Sequence, residues 1–141
     1  MGNNQPMIHS IKKQLMAVYQ MKDLGAATSY LGISITRDRK QRSIWIDQED
    51  YIHNALTRFN LLNANDTKTP LPEGVHLVTA TEPMPPEKLT RYQQLIGTLL
   101  YASTGTRPDI AFAVTRLSRH NTNPMDEHHR YAQYKIGRAH V

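Results

Sequence analysis

The sequence has 141 residues, 39% hydrophobic and 21% charged, with 7 Gly, 8 Pro and no Cys. That length suits one domain burying roughly two thirds of its unfolded surface, and the composition is globular rather than disordered, collagenous or membrane-embedded; the lack of cysteine excludes a disulfide scaffold, a thiolate zinc site and a cysteine nucleophile. Seventeen Lys and Arg against twelve Asp and Glu give a net charge of +5, a balance that favours a polyanionic partner. The charge is concentrated at the two ends, +4 over 1–47 and +4 over 91–141, around a middle of −3 over 48–90. No run of about 18 apolar residues suits a membrane span, and the start MGNNQPMIHS has no signal-like apolar stretch, so the expected location is intracellular and no membrane partner is implied.

Ile8, Ile11, Leu15 and Val18 recur at helical spacing and predict an amphipathic helix ending near Gly25. Leu31, Ile33 and Ile35 alternate with Gly32, Ser34 and Thr36, and Ile44 and Ile46 flank Trp45; these predict two strands forming a hairpin with a polar tip from Arg37 to Arg42. Asp47 suits the cap of a second helix, with Glu49 and Asp50 in its first turn and Tyr51, Ile52, Ala55, Leu56 and Phe59 on its inner face, ending near 61–63. Five prolines between 63 and 86 mark a linker or extended loop. A third helix starts after Pro85-Pro86 with Leu89, Tyr92, Leu95, Ile96, Leu99 and Leu100 inward, Gly97 marking close packing and Gly105 its end. Thr106 as cap, Pro108 and Asp109 open a fourth helix running to about His120, with Ile110, Ala113, Val114 and Leu117 inward, and a short last helix follows Pro124. The expected class is α+β: a helix, a two-stranded β-hairpin, then mainly helices.

Catalytic chemistry finds little support. Glu49 with Asp50, and Asp126 with Glu127, are adjacent at helix starts; neighbouring helical residues diverge by about 100°, so neither pair is placed to share a metal. No Walker loop or dinucleotide fingerprint is present, and Ser43, Ser103 and Ser118 lack the glycine-flanked nucleophile-elbow context. His120, His128 and His129 lack zinc-ligand spacing and read as surface or capping residues. No catalytic and no metal-ligating residue is assigned. What remains is binding: Arg37, Arg39, Lys40 and Arg42 crowd the hairpin tip, with Trp45 and Tyr30 on the strands, and Arg116 and Arg119 share a helix face that Arg107 extends. Cations neutralise phosphates while an aromatic ring stacks on a base or sugar; the plainer alternative is a solvated tip with Tyr30 and Trp45 packed in the core.

The strings QMKDLGAATSYLGISI, IWIDQEDYIHNALTRF, TPL and RYQQLIGTLLYASTGTRPDIAFAVTRLSRHNTNP occur in that order over about residues 7–135. Together they resemble the later part of the reverse transcriptase domain of copia-type LTR retrotransposon polyproteins. The resemblance implies a fragment of a right-hand polymerase. Residues 1–62 would hold a palm-tail helix, a primer-grip-like hairpin and the first thumb-like helix, 63–86 a Pro-rich linker, and 87–135 thumb and connection helices. It further implies contact of Arg37, Arg39, Lys40, Arg42, Trp45, Arg107, Arg116 and Arg119 with primer-template nucleic acid, and partners in the palm, fingers and RNase H segments of the parent polyprotein. The magnesium-binding acids of the parent polymerase belong to upstream segments and a Tyr-x-Asp-Asp hairpin, which is absent from this sequence. The fragment itself is therefore expected to carry no cofactor and to be inactive alone. Residues 136–141, IGRAHV, equal a translation of a common sequencing-adapter sequence and are expected to be a non-native tail. The alternatives are an independent basic nucleic-acid-binding module and a decayed product with no selected function.

Overall fold

The computed structural model describes residues 4–63 and 74–138. Helix α1 spans Gln5–Val18; strands β1 (Ser29–Tyr30), β2 (Ile33–Asp38) and β3 (Ser43–Asp47) follow, then helices α2 (Glu49–Phe59), α3 (Pro86–Gly105), a 3-10 turn (Pro108–Ile110), α4 (Ala111–Ser118) and α5 (Asp126–Arg138). The class is α+β. Among the described residues between α2 and α3 there is neither helix nor strand; the expected linker's residues 64–73 lie outside the described residues, as do 139–141 of the expected tail.

Helix α1 begins where the Asn4 carboxamide accepts the Met7 N–H at 3.1 Å, with Pro6 in the first turn. It ends at Val18, earlier than expected, because Tyr19 turns extended and Lys12 pairs with Asp23 at 2.9 Å, folding the following segment back. Its apolar stripe is real but buries nothing.

The sheet has three antiparallel strands in the order β1-β2-β3 rather than the expected two. Tyr30 pairs with Ile33 across a two-residue turn in which Leu31 (φ 50°) and Gly32 (φ 78°) are both left-handed. That geometry matches the right-handed twist of the flanking strands, and Leu31 belongs to the turn instead of a strand. Arg37 and Asp38 belong to β2, so the expected six-residue tip shrinks to the four residues 39–42.

Helix α2 is preceded by Gln48, which sits at the cap position in place of Asp47; Asp47 still accepts the Glu49 N–H at 3.3 Å. It stops at Asn60, whose left-handed backbone (φ 58°) returns its N–H to Leu56 and Thr57, short of the expected 61–63. Helix α3 has the expected bounds, but nothing approaches Gly97, so the close packing expected there is absent. Thr106 closes α3 by donating its N–H to Ala102 and does not cap a new helix; the chain re-enters through the 3-10 turn led by Pro108, and α4 stops at Ser118. The last helix is longer than expected, at 13 residues.

The core lies between the four later helices. Ile52, Ala55, Leu56 and Phe59 of α2 meet Tyr92, Leu95, Ile96 and Leu99 of α3, Ile110, Val114 and Leu117 around α4, and Ala132 and Ile136 of α5. Each large side chain contributes about 1.5–3 kcal/mol by leaving water, and this cluster organises the molecule. Ile136, the first residue of the expected tail, is 1% exposed within it.

Candidate nucleic-acid interface

The hairpin is held against the helices by two tyrosines. Tyr51 and Tyr101 meet edge to face with ring centroids 4.9 Å apart. The Tyr101 hydroxyl donates to the Leu31 carbonyl, and Tyr51 is the side chain nearest Gly32. The β1–β2 turn is thereby clamped between α2 and α3, and the β2–β3 hairpin projects from that clamp.

The register pairs Thr36 with Trp45 and Arg37 with Ile44. Side chains alternate along a strand and cross-strand partners share a face. Trp45 therefore lies with Ser34, Thr36, Asp38 and Ser43 on a polar face, whereas Arg37 lies with Ile33, Ile35, Ile44 and Ile46 on the apolar one. The structure separates two residues that the sequence reading grouped together. Trp45 is 51% exposed, so it is not a core residue.

Arg39, Lys40 and Arg42 form the turn itself. Asp38 Oδ1 accepts the N–H groups of Lys40 (2.8 Å) and Gln41 (3.0 Å), and Arg42 takes a left-handed conformation at φ 54° to rejoin β3. Aspartate at a turn start forms this local ring readily. All three turn cations are exposed, and among the described residues neither they nor Arg37 make an ion pair. A charged loop beside an exposed indole can neutralise phosphates and offer a stacking surface.

The second group of arginines is less uniform. Arg107 is engaged in a two-pronged fork to Asp109, Nε to Oδ1 and Nη2 to Oδ2, both 2.9 Å, so its charge is locally compensated. Arg116 lies over the Phe112 ring at 5.9 Å, and Arg119 is exposed just after α4. Helix α4 packs on α3 and α5, while the hairpin reaches α2 and α3 through its Leu31–Gly32 turn. At the base of the hairpin the Thr106 hydroxyl, next to Arg107, donates to Gln48 Oε1 at 2.9 Å, just beyond β3.

Several cations absent from the sequence reading are structural. Arg58 stacks on Phe59 at 4.8 Å and donates to the Thr98 hydroxyl at 2.7 Å; Arg91 donates to the Phe59 carbonyl at 3.1 Å. Helical spacing relative to Phe59 and Thr98 gave no signal for these long-range bonds. The histidines divide as well: His128 is buried and stacks on His120 with centroids 4.4 Å apart, while His129 faces α3.

The acidic pairs remain at helix starts. Glu49 and Asp50 open α2, and Asp126 and Glu127 open α5, where Asp126 meets Lys88 at 3.2 Å and Glu127 accepts from Tyr131 at 2.9 Å. Among the described residues no three His, Asp or Glu side chains converge on a metal-sized site. The donor set described here does not fit the two-metal centre of a polymerase.

The family model described as "Reverse transcriptase (RNA-dependent DNA polymerase)" matches residues 1–73. The chain is 39% identical over 132 residues to the retrovirus-related Pol polyprotein from transposon TNT 1-94 of Nicotiana tabacum, covering 90% of this chain and 10% of that polyprotein. It is 33% identical over 118 residues to the putative transposon Ty5-1 protein of Saccharomyces cerevisiae, covering 84% of this chain and 38% of the yeast protein. It is 31% identical over 129 residues to the retrovirus-related Pol polyprotein from transposon RE1 of Arabidopsis thaliana, covering 90% and 8% respectively. The chain thus spans a small part of each of these relatives. No solved structure matches it.

Proposed function

The chain belongs to the reverse transcriptase family of copia-type retrotransposon Pol polyproteins, and from that premise we propose that it is a fragment of a right-hand polymerase that holds primer-template nucleic acid. The observation that carries this reading is the β2–β3 turn. Arg39, Lys40 and Arg42 stand exposed on a turn ordered by Asp38, beside the exposed Trp45. The turn grips backbone phosphates and the indole stacks on an adjoining base or sugar. Arg116 and Arg119 supply a second, weaker contact, and Arg107 acts through its fork with Asp109 as a positioning residue for the start of α4.

The catalytic carboxylates and the magnesium they would hold belong to other parts of the polyprotein; among the described residues Glu49, Asp50 and Glu127 sit at helix starts, and Asp23, Asp109 and Asp126 are ion-paired. The contribution of these residues is positioning, in which backbone contacts hold the primer end where chemistry is done elsewhere. The same polyprotein supplies the palm elements that cover the apolar stripe of α1 and the Ile44 and Ile46 face of the sheet.

A salt titration of duplex binding tests the reading. A protein that displaces counterions loses affinity steeply with salt, and removing phosphate contacts lowers the log–log slope by about 1 per contact. Arg39→Ala with Arg42→Ala is expected to flatten the slope by about 2, and Trp45→Ala to weaken single-stranded binding without changing it. Binding insensitive to salt, or a slope unchanged in the double variant, overturns the proposal.

A further inference from the structure

A cleft of about 390 Å³ lies between α3 and α5, lined by Met84, Lys88, Arg91, Asp126, His129 and Gln133. Lys88 and Arg91 are three apart on α3, while Asp126, His129 and Gln133 follow at three and four on α5, so each set occupies one helical face. The two faces meet because α3 and α5 pack together around Tyr92 and Ala132. The bond from Arg91 Nη2 to the Phe59 carbonyl fixes the guanidinium in place. Its remaining N–H groups have no partner among the described residues. Lys88 is held across the mouth by Asp126 at 3.2 Å. His129 is partly buried at the wall, its ring 6.2 Å from that of Tyr92.

We propose that this cleft is a phosphoanion site in which Arg91 and Lys88 bind the phosphate oxygens, His129 and Gln133 donate from the opposite wall, and Asp126 competes with the anion for Lys88. A guanidinium presents paired donors matched to phosphate geometry, and a lysine beside it adds a mobile point charge. The volume accommodates one or two phosphate groups and falls within the range of small-ligand sites, and it is the cationic lining rather than the size that favours an anion. The phosphate comes either from a nucleic-acid backbone or from a free phosphoanion. The charged groups facing His129 are Arg91 and Lys88 from α3 and Asp126 from its own helix; burial together with the two cations depresses its pKa. A bound anion reverses that field, so His129 takes up a proton on binding and affinity rises as pH falls.

Titration of the full chain with inorganic pyrophosphate, followed by the His129 ring protons and the Arg91 Nε–H in NMR spectra, tests the site. Saturable shifts are expected, tighter at pH 6 than at pH 7.5. Arg91→Gln is expected to weaken binding by about tenfold. Asp126→Asn is expected to tighten it by about threefold, because Lys88 is released and one competing carboxylate charge is lost; a merely structural role for these residues predicts no gain. Lys88→Gln, an exposed position, is expected to weaken binding even where Arg91→Gln disturbs the fold. Displacement of pyrophosphate by a short DNA duplex assigns the site to backbone phosphate, and its retention assigns it to a free phosphoanion. Absence of saturable shifts, or Asp126→Asn and Lys88→Gln binding like the parent, overturns the proposal. Arg39→Ala with Arg42→Ala leaves pyrophosphate binding unchanged, so this site and the hairpin interface stand or fall separately.

Discussion

Tyr92 shows how one side chain joins two kinds of stabilisation. Its ring is fully buried in the helical core, and its hydroxyl donates to the Leu117 carbonyl at 2.8 Å, tying α3 to the end of α4. Burial pushes the phenol pKa well above its usual value, so it stays a neutral donor. Leu117 O also accepts the His120 N–H at 3.1 Å, so removing the hydroxyl does not orphan it. Tyr92→Phe is accordingly expected to cost about 1 kcal/mol in denaturant unfolding, against about 3–5 kcal/mol for Tyr92→Ala, which also opens a cavity. The apolar periodicity around Tyr92 was legible in the sequence, whereas its hydroxyl partner was not, because that partner lies 25 positions away on another helix. Gly97 illustrates the opposite error: a small residue in an apolar run suggested a close neighbour, yet its side of α3 is open.

At the scale of elements, the start of α5 is held by a histidine. The Met125 N–H donates to His128 Nδ1 at 2.9 Å, and the His128 N–H returns to the Met125 carbonyl at 3.0 Å, a reciprocal pair like a capping box. The ring accepts a hydrogen bond and is stacked on His120, which Thr79 contacts at 3.3 Å. Burial, reinforced by His120 and opposed by Glu127, lowers the His128 pKa; burial and Arg91 lower that of His129. Both are therefore held neutral in the native state, whereas the unfolded chain binds protons at the ordinary value of 6.5. The stability they contribute is complete above that value and is lost as pH falls through it towards the depressed native values. Thermal unfolding followed by circular dichroism is expected to show the midpoint falling between pH 7.5 and pH 5.5, at up to about 1.4 kcal/mol per pH unit for each proton taken up. In His128→Gln, whose amide reaches back to Met125 in the same way, the fall is expected to be shallower. The sequence left these histidines as surface or capping residues; His128 does cap α5, but its burial was not legible, because it depends on how the 119–125 segment folds onto α5.

Across the whole molecule, burial is uneven. The α2–α5 core is closed, but α1 buries no residue, and Ile11 and Leu15 are 45% and 42% exposed, with Ile44 at 58% and Ile46 at 53% on the sheet. Exposed apolar stripes on a helix and on a sheet face mark candidate interaction faces. In sedimentation velocity at rising concentration the chain is expected to self-associate. Leu15→Lys with Ile44→Lys is expected to shift it to monomer while changing unfolding stability by about 0.5 kcal/mol or less, since neither side chain contributes to the core. Self-association unaffected by the pair would show that these faces are not the sticky ones.

Periodicity and end signals in the sequence determined the class, most helix positions, the inward residues of α2 to α4 and, through its blocks, the family. These depend on local spacing and backbone chemistry, which travel with the chain. Tertiary structure decided which stripes are covered, which cations are spent on carbonyls and carboxylates, and that Arg37 and Trp45 face opposite ways. It also decided that Leu31 and Gly32 add a third strand, without an Asn-Gly signal to announce them. Those outcomes depend on partners far along the chain and on a strand register in which a shift of one residue exchanges the two faces.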